Sequence, residues 1–312
     1  MQIRSLSRGG VMFGAAIALV ALTQTALIPE AQARTLDTAF GAVEIDGQPE
    51  RVVTLYEGAL DTALTAGVTP LGAVATRGGE GVADYLGDAA ADVAIVGTAR
   101  ETNIEAVVAQ KPDLILASSR LPEEQYALLS QIAPTVVPKT EGYEPESWKD
   151  EARLFGEALG REEAINDAIQ AIENRSQSLA QRQPSGDTTA TLARWMPNGP
   201  LVMSTQLFTT GLLAACGFDV KDGGVVKAGR PHSDSLSLEN LSSIDSDWLF
   251  LATLNADGEA ALESARQSPA FERLNVVQQD HVVPVDGQLW TSASGPIAAG
   301  RILDDIEGML PQ

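Results

Sequence analysis

The sequence predicts an α/β protein made of two Rossmann-like lobes joined by a single long rigid interlobe helix. Three observations carry that prediction. Short β-branched runs alternate with helix-period segments through the first half. The alternation stops between about residues 146 and 182, where only helical patterning is found, and it then resumes. Residues 34–145 are accordingly assigned to an N-terminal lobe, 146–183 to the interlobe helical segment and 184–312 to a C-terminal lobe, behind a leader of residues 1–33.

In order along the chain, Arg51–Leu55 reads as a buried strand, Leu60–Ala66 as a helix and Leu71–Ala75 as a second strand. Asn103 is a natural N-cap for a helix that must end before Lys111-Pro112. Asp113–Ala117 is a further strand, Pro122-Glu-Glu-Gln opens another helix, and Pro134–Pro138 is short and extended. Strands alternating with helices imply parallel βαβ units. One helix runs from about Glu146 to Leu159, where Gly160 ends it. A second, from Glu162 to Arg182, carries Ala164, Ile165, Ala168, Ile169, Ile172 and Leu179 at helical spacing. At 1.5 Å per residue it is roughly 30 Å long, the width of a small domain. Beyond it, Thr189–Trp195, Leu201–Met203, Asp247–Leu251 and Val282–Val285 read as strands, with helices over Thr209–Cys216 and Pro296–Met309.

Arg4 and Arg8 precede an apolar run, Val11–Ile28, interrupted by Thr23, Gln24 and Thr25 and followed by Ala31-Gln-Ala33. That order predicts a cleaved secretory leader rather than a membrane anchor. Cys216 is the sole cysteine, so no disulfide forms within the chain and no cysteine stands near residue 33 to carry a lipid. The expectation is a free periplasmic monomer that is not a lipoprotein. The chain holds 42 Asp+Glu against 21 Lys+Arg, a formal net charge of −21. A surface this acidic repels nucleic acid and anionic lipid.

Two segments resemble a known family. Asn103–Leu116 (Asn-Ile-Glu-Ala-Val-Val-Ala-Gln-Lys-Pro-Asp-Leu-Ile-Leu) and Leu236–Phe250 each set a Glu near the start of a helix ahead of an Asp that opens a strand. Together with the opening Arg51-Val-Val, the Ile132-Ala-Pro-Thr135 step, the long interlobe helix and the final helix after Trp290–Pro296, these strings are similar to the ABC-importer binding proteins for iron siderophores and cobalamin, the ferric-citrate-like members in particular. The resemblance implies the class III periplasmic-binding-protein architecture, capture of a ferric siderophore, and delivery to an inner-membrane ABC permease. It further implies that Glu105 and Glu239 meet arginines on the two halves of that permease.

An anionic chelate needs guanidinium groups for its oxygens and flat aromatics for its faces. Arginines standing after strand or loop ends are the candidates: Arg77, Arg100, Arg120, Arg194 and Arg230, with Arg100 and Arg120 resembling positions the carboxylate-siderophore members use. Tyr56, Trp195 and Trp290 stand at element edges and complete the set, whereas Trp248 and Trp148 read as packing residues. His232 and His281 lie in separate segments, too few for a protein metal site, so any iron is expected to arrive wrapped in its chelator, with no cofactor. Cobalamin or haem is the alternative cargo, with Tyr56 the possible haem ligand. An exported hydrolase is the alternative class, but no Gly-x-Ser-x-Gly elbow is present.

Overall fold

A computed structural model of the protein describes residues 33–140, 142–183 and 188–310. All but the last residue of the predicted leader lie outside the described residues. The described residues open with an antiparallel hairpin, β1 (Arg34–Thr38) and β2 (Gly41–Ile45), that puts Leu36, Val43 and Ile45 into the core.

The first sheet is parallel throughout and ordered β5-β4-β3-β6-β7. Its strands are β3 (Val52–Thr54), β4 (Gly72–Ala75), β5 (Ala94–Thr98), β6 (Leu114–Leu116) and β7 (Thr135–Val136). Every residue of β3, β4 and β6 is buried, as expected of parallel strands covered on both faces. Helices α1 (Glu57–Thr65), α2 (Ile104–Gln110) and α3 (Glu123–Leu129) and a 3₁₀ segment, Asp84–Ala90, make the crossovers. The Asn103 cap forms as expected, its Oδ1 accepting the Ala106 N–H at 3.0 Å.

Two helices follow, α4 (Ser147–Ala158) and α5 (Glu162–Ala180). Ile165, Ile169, Ile172, Ser176 and Leu179 form the buried stripe of α5, while Ala164 faces solvent. This helix is packed along its length, against α4 and against two C-terminal-lobe helices, α6 (Phe208–Ala215) and α11 (Pro296–Met309).

The second sheet is ordered β10-β8-β11-β12, all parallel, from β8 (Thr189–Met196), β10 (Asp219–Val220), β11 (Trp248–Thr253) and β12 (Val282–Asp286). β9 (Gly199–Val202) lies antiparallel against the end of β8. A 3₁₀ segment, Leu238–Ile244, and helices α7 (Ala256–Arg266), α8 (Pro269–Glu272), α9 (Asn275–Gln278) and α10 (Gly287–Thr291) complete the lobe.

The largest apolar cluster is shared between the lobes. It runs from Leu36 and Leu114 through Phe155 and Ile165 to Leu192, Phe250 and Ile302. Asp61 of α1, fully buried, accepts the N–H groups of Ile297 (2.9 Å) and Ala298 (2.8 Å) in the first turn of α11. Gly78, at φ +83°, lets its loop close on Leu254 of the other lobe, where an added Cβ would meet the Leu254 Cβ at 3.3 Å.

Candidate functional site

Open parallel sheets place ligands beyond the carboxyl ends of their strands. Here both sheets present those ends to one cleft of about 360 Å³. Tyr56 follows β3, Arg77 follows β4, Arg100 follows β5 and Arg120 follows β6. From the other lobe come Arg194 on β8, Met203 after β9, and Trp290 to Ser294 on and after α10. Six of the eight expected ligand residues therefore converge: Tyr56, Arg77, Arg100, Arg120, Arg194 and Trp290.

The exposed arginines are set by short turns. Thr98 Oγ1 accepts the N–H groups of Arg100 (3.3 Å) and Glu101 (3.2 Å), and Ser118 Oγ accepts that of Arg120 (3.2 Å). The Arg120 guanidinium lies over the Tyr143 ring, 4.2 Å from its centroid. Arg194 differs from them. It is 4% exposed, and its Nη1 donates to Thr291 Oγ1 at 3.3 Å. Burial first, and then the nearby Arg77 charge, lower its pKa to about 10.

Two carboxyls also face the cleft. Glu57 Oε1 accepts the Thr76 hydroxyl (2.5 Å) and the Arg77 N–H (3.1 Å). Glu151, on α4, stands beside Thr140 and Tyr56, and Tyr56 stands beside Ser294. Burial raises both carboxyls above the ordinary range and pushes the Tyr56 phenol well up.

The structure corrects two ligand expectations and qualifies a third. Trp195 is 2% exposed and packs edge-to-face on Phe271 at 5.9 Å, away from the cleft. Consecutive strand residues point to opposite faces, so Arg194 and Trp195 cannot both face the cleft. Arg230 is exposed outside it; the bridge between Met203 and His232 brings Pro231 and His232 to the wall instead. Trp290 lines the floor but is 0% exposed, stacked on Phe250 at 4.9 Å with its indole N–H on Asp305. It shapes the floor and has no free face for a ligand. Trp248, read as core, is half-buried and stacks on His281 at 4.2 Å.

Sequence reasoning missed Tyr143, Glu57, Glu151, His232, Phe208 and the run from Thr291 to Ser294. A signal did exist for Glu151. It interrupts the α4 stripe of Trp148, Ala152 and Phe155, where a carboxylate is out of pattern.

Glu105 and Glu239 are both exposed, and neither makes an ion pair among the described residues. Glu105 stands in the first turn of α2, as expected. Glu239 stands in the 3₁₀ segment rather than an α-helix.

Residues 52–289 match the family described as periplasmic binding protein. The probable siderophore-binding lipoprotein YfiY of Bacillus subtilis is 30% identical over 90% of this chain and 88% of its own. The achromobactin-binding periplasmic protein of Dickeya dadantii is 32% identical over 83% and 85%. The solved structure of Staphylococcus aureus SirA complexed with staphyloferrin B is similar at a TM-score of 0.77 and 27% identity, covering 88% of this chain and 97% of that one. These relatives overturn one expectation, that of a free protein which is not a lipoprotein, since YfiY is itself named a lipoprotein. With the class III architecture, the cleft between its two sheets and a family match across most of its length, this chain belongs to the periplasmic binding proteins, the substrate-binding components of ABC importers.

Proposed function

We propose that this chain captures a ferric siderophore or ferric-citrate-like chelate in its cleft and delivers it to an inner-membrane ABC permease. The observation that carries the reading is four arginines from both lobes, gathered at one cleft in a chain of net charge −21. Relatives named for siderophore, achromobactin and staphyloferrin B binding support it. The iron stays within its chelator; among the described residues no cluster of three His, Cys, Asp or Glu side chains could hold a metal. Both cleft walls come from one chain, which supports action as a monomer. Haem is disfavoured because burial raises the pKa of the Tyr56 phenol, which works against the phenolate a haem iron would take.

Glu105 and Glu239, one per lobe, would meet basic residues of the permease. For the cargo, tryptophan fluorescence should be titrated with ferric citrate, a ferric hydroxamate, a ferric catecholate, cobalamin and haemin. Trp148 and Trp290 at the cleft are the reporters. Saturable quenching by an anionic ferric chelate is expected. Quenching by cobalamin or haemin alone would overturn the reading.

A further inference from the structure

We propose that Asp61 is a positioning residue for capture: by tying the first turn of α11 to α1, it fixes the separation of the two cleft walls that run into those helices. The inference rests on the cargo reading for what is captured, but its claim about the walls stands apart from that reading. Tyr56 and Glu57, where α1 begins, line one wall, and Ala293 and Ser294, just before α11, line the other. Asp61 lies one turn into α1, so it joins the two walls close to where each meets the cleft.

The start of α11 cannot satisfy its own amides. Its N-cap, Gly295, has no side chain, and Pro296 has no N–H. The next two amides reach across the lobe boundary, Ile297 donating to Asp61 Oδ1 at 2.9 Å and Ala298 to Oδ2 at 2.8 Å. The carboxyl is aimed by Thr65 on its own helix, which donates to Oδ1 at 3.5 Å, and by the Tyr85 hydroxyl, which donates to Oδ2 at 3.1 Å. The rest of the contact is apolar and close. Ile297 packs on Leu60, Leu86 and Ala90. A Cβ added to Gly58 would meet the Ser294 Cβ at 3.2 Å, and one added to Gly295 would meet Asp61 Oδ1 at 2.5 Å. Apolar contact is non-directional, so it holds two helices together without fixing their register. Hydrogen bonds from consecutive amides to the two oxygens of one carboxyl do fix it.

The test measures the distance between the lobes in the full chain. Spin labels go on Glu105→Cys and Glu239→Cys, one exposed position per lobe outside the cleft. Cys216 stays unlabelled, since it is buried and burial pushes its thiol up to about 11. Pulsed electron spin resonance should give a narrow distance distribution for the chain with Asp61 intact. Asp61→Asn keeps one acceptor oxygen and turns the other into a donor, so it should broaden that distribution. In the unlabelled chain it should weaken the ferric chelate that binds best among ferric citrate, a ferric hydroxamate and a ferric catecholate by about tenfold, the scale of one lost buried hydrogen bond. If Asp61→Asn fails to fold, Asp61→Glu, with both oxygens on a stem one methylene longer, should shift the mean distance instead. Asp247→Ala, at the far end of the second sheet, should lower stability but leave distance and affinity alone, which separates positioning from a merely structural role. An unchanged distance in the folded Asp61 variants would overturn the inference, whatever their affinity. A changed distance with unchanged affinity for a bound chelate would overturn it too. A changed distance, with none of the three chelates binding even the wild type, would overturn the cargo reading alone.

Discussion

Each lobe opens a buried strand behind an aspartate. Asp113, before β6, accepts the N–H groups of Glu50 (3.0 Å) and Arg51 (2.9 Å), which lead into the neighbouring β3. Asp247, before β11, accepts the N–H and hydroxyl of Thr189, both at 2.7 Å, at the start of the neighbouring β8. These bonds hold the Asp247 carboxyl below its usual range, the Thr189 N–H contributing most. Its stabilisation is therefore present above the ordinary carboxylate pKa and is lost as pH falls through the lower folded value. Asp247→Ala should cost about 1 kcal/mol, an exposed hydrogen-bonded carboxylate being worth no more. Urea midpoints should show that deficit at pH 7, shrinking below about pH 4; a deficit independent of pH would contradict the assignment. The sequence exposed these aspartates, and the strand-end arginines, because position after or before a strand is itself the signal. It hid Tyr143 and Glu151, which reach the cleft from a loop and from a helix that periodicity reads as pure packing.

Elements with a strong local pattern were legible, and those set by tertiary pairing were not. β-branched runs marked β3, β6 and β11, and Pro296 at the first turn marked α11 with its observed bounds. The hairpin of β1 and β2 escaped notice because its two-residue turn, Ala39-Phe40, carries no Asn-Gly, Asp-Gly or Gly-Gly signature. β5 was missed as well. It is an edge strand with Ile95 exposed, and Gly97 at φ +150° breaks its pattern. The two lobes also diverge where the resemblance treats them alike. Asn103 caps an α-helix over Glu105, whereas two serines, Ser242 and Ser243, weaken helix propensity behind Glu239 and leave a 3₁₀ segment. Both segments still present an exposed carboxylate, so docking should tolerate the difference. The double substitution Glu105→Lys and Glu239→Lys should abolish transport in a reconstituted importer while cargo titrations stay unchanged. Normal transport by that variant would remove the docking role.

At the scale of the molecule, the lobes are divisions of the sheets and not of the core. The shared apolar cluster, α5 packed on helices of both lobes, and the close approach of Gly211 to Pro145, where an added Cβ would come within 2.6 Å, leave no seam along which one lobe could melt alone. Calorimetry should therefore record a single unfolding transition with equal calorimetric and van't Hoff enthalpies. Two resolved transitions would show that the lobes are energetically separate. This sharing was invisible in the sequence, where apolar periodicity marks a buried face but not the partner that buries it.

Asp61 carries this one step further, into the order of events during synthesis. Its carboxylate belongs to the first helix, and the amides that satisfy it lie 236 residues later, in the last helix. A chain made from its N-terminus forward can give this carboxylate the Thr65 and Tyr85 hydroxyls early, but not yet the two α11 amides. Its first lobe stays an unfinished surface until nearly the whole polypeptide has been delivered, and closing it is among the last acts of folding rather than the first.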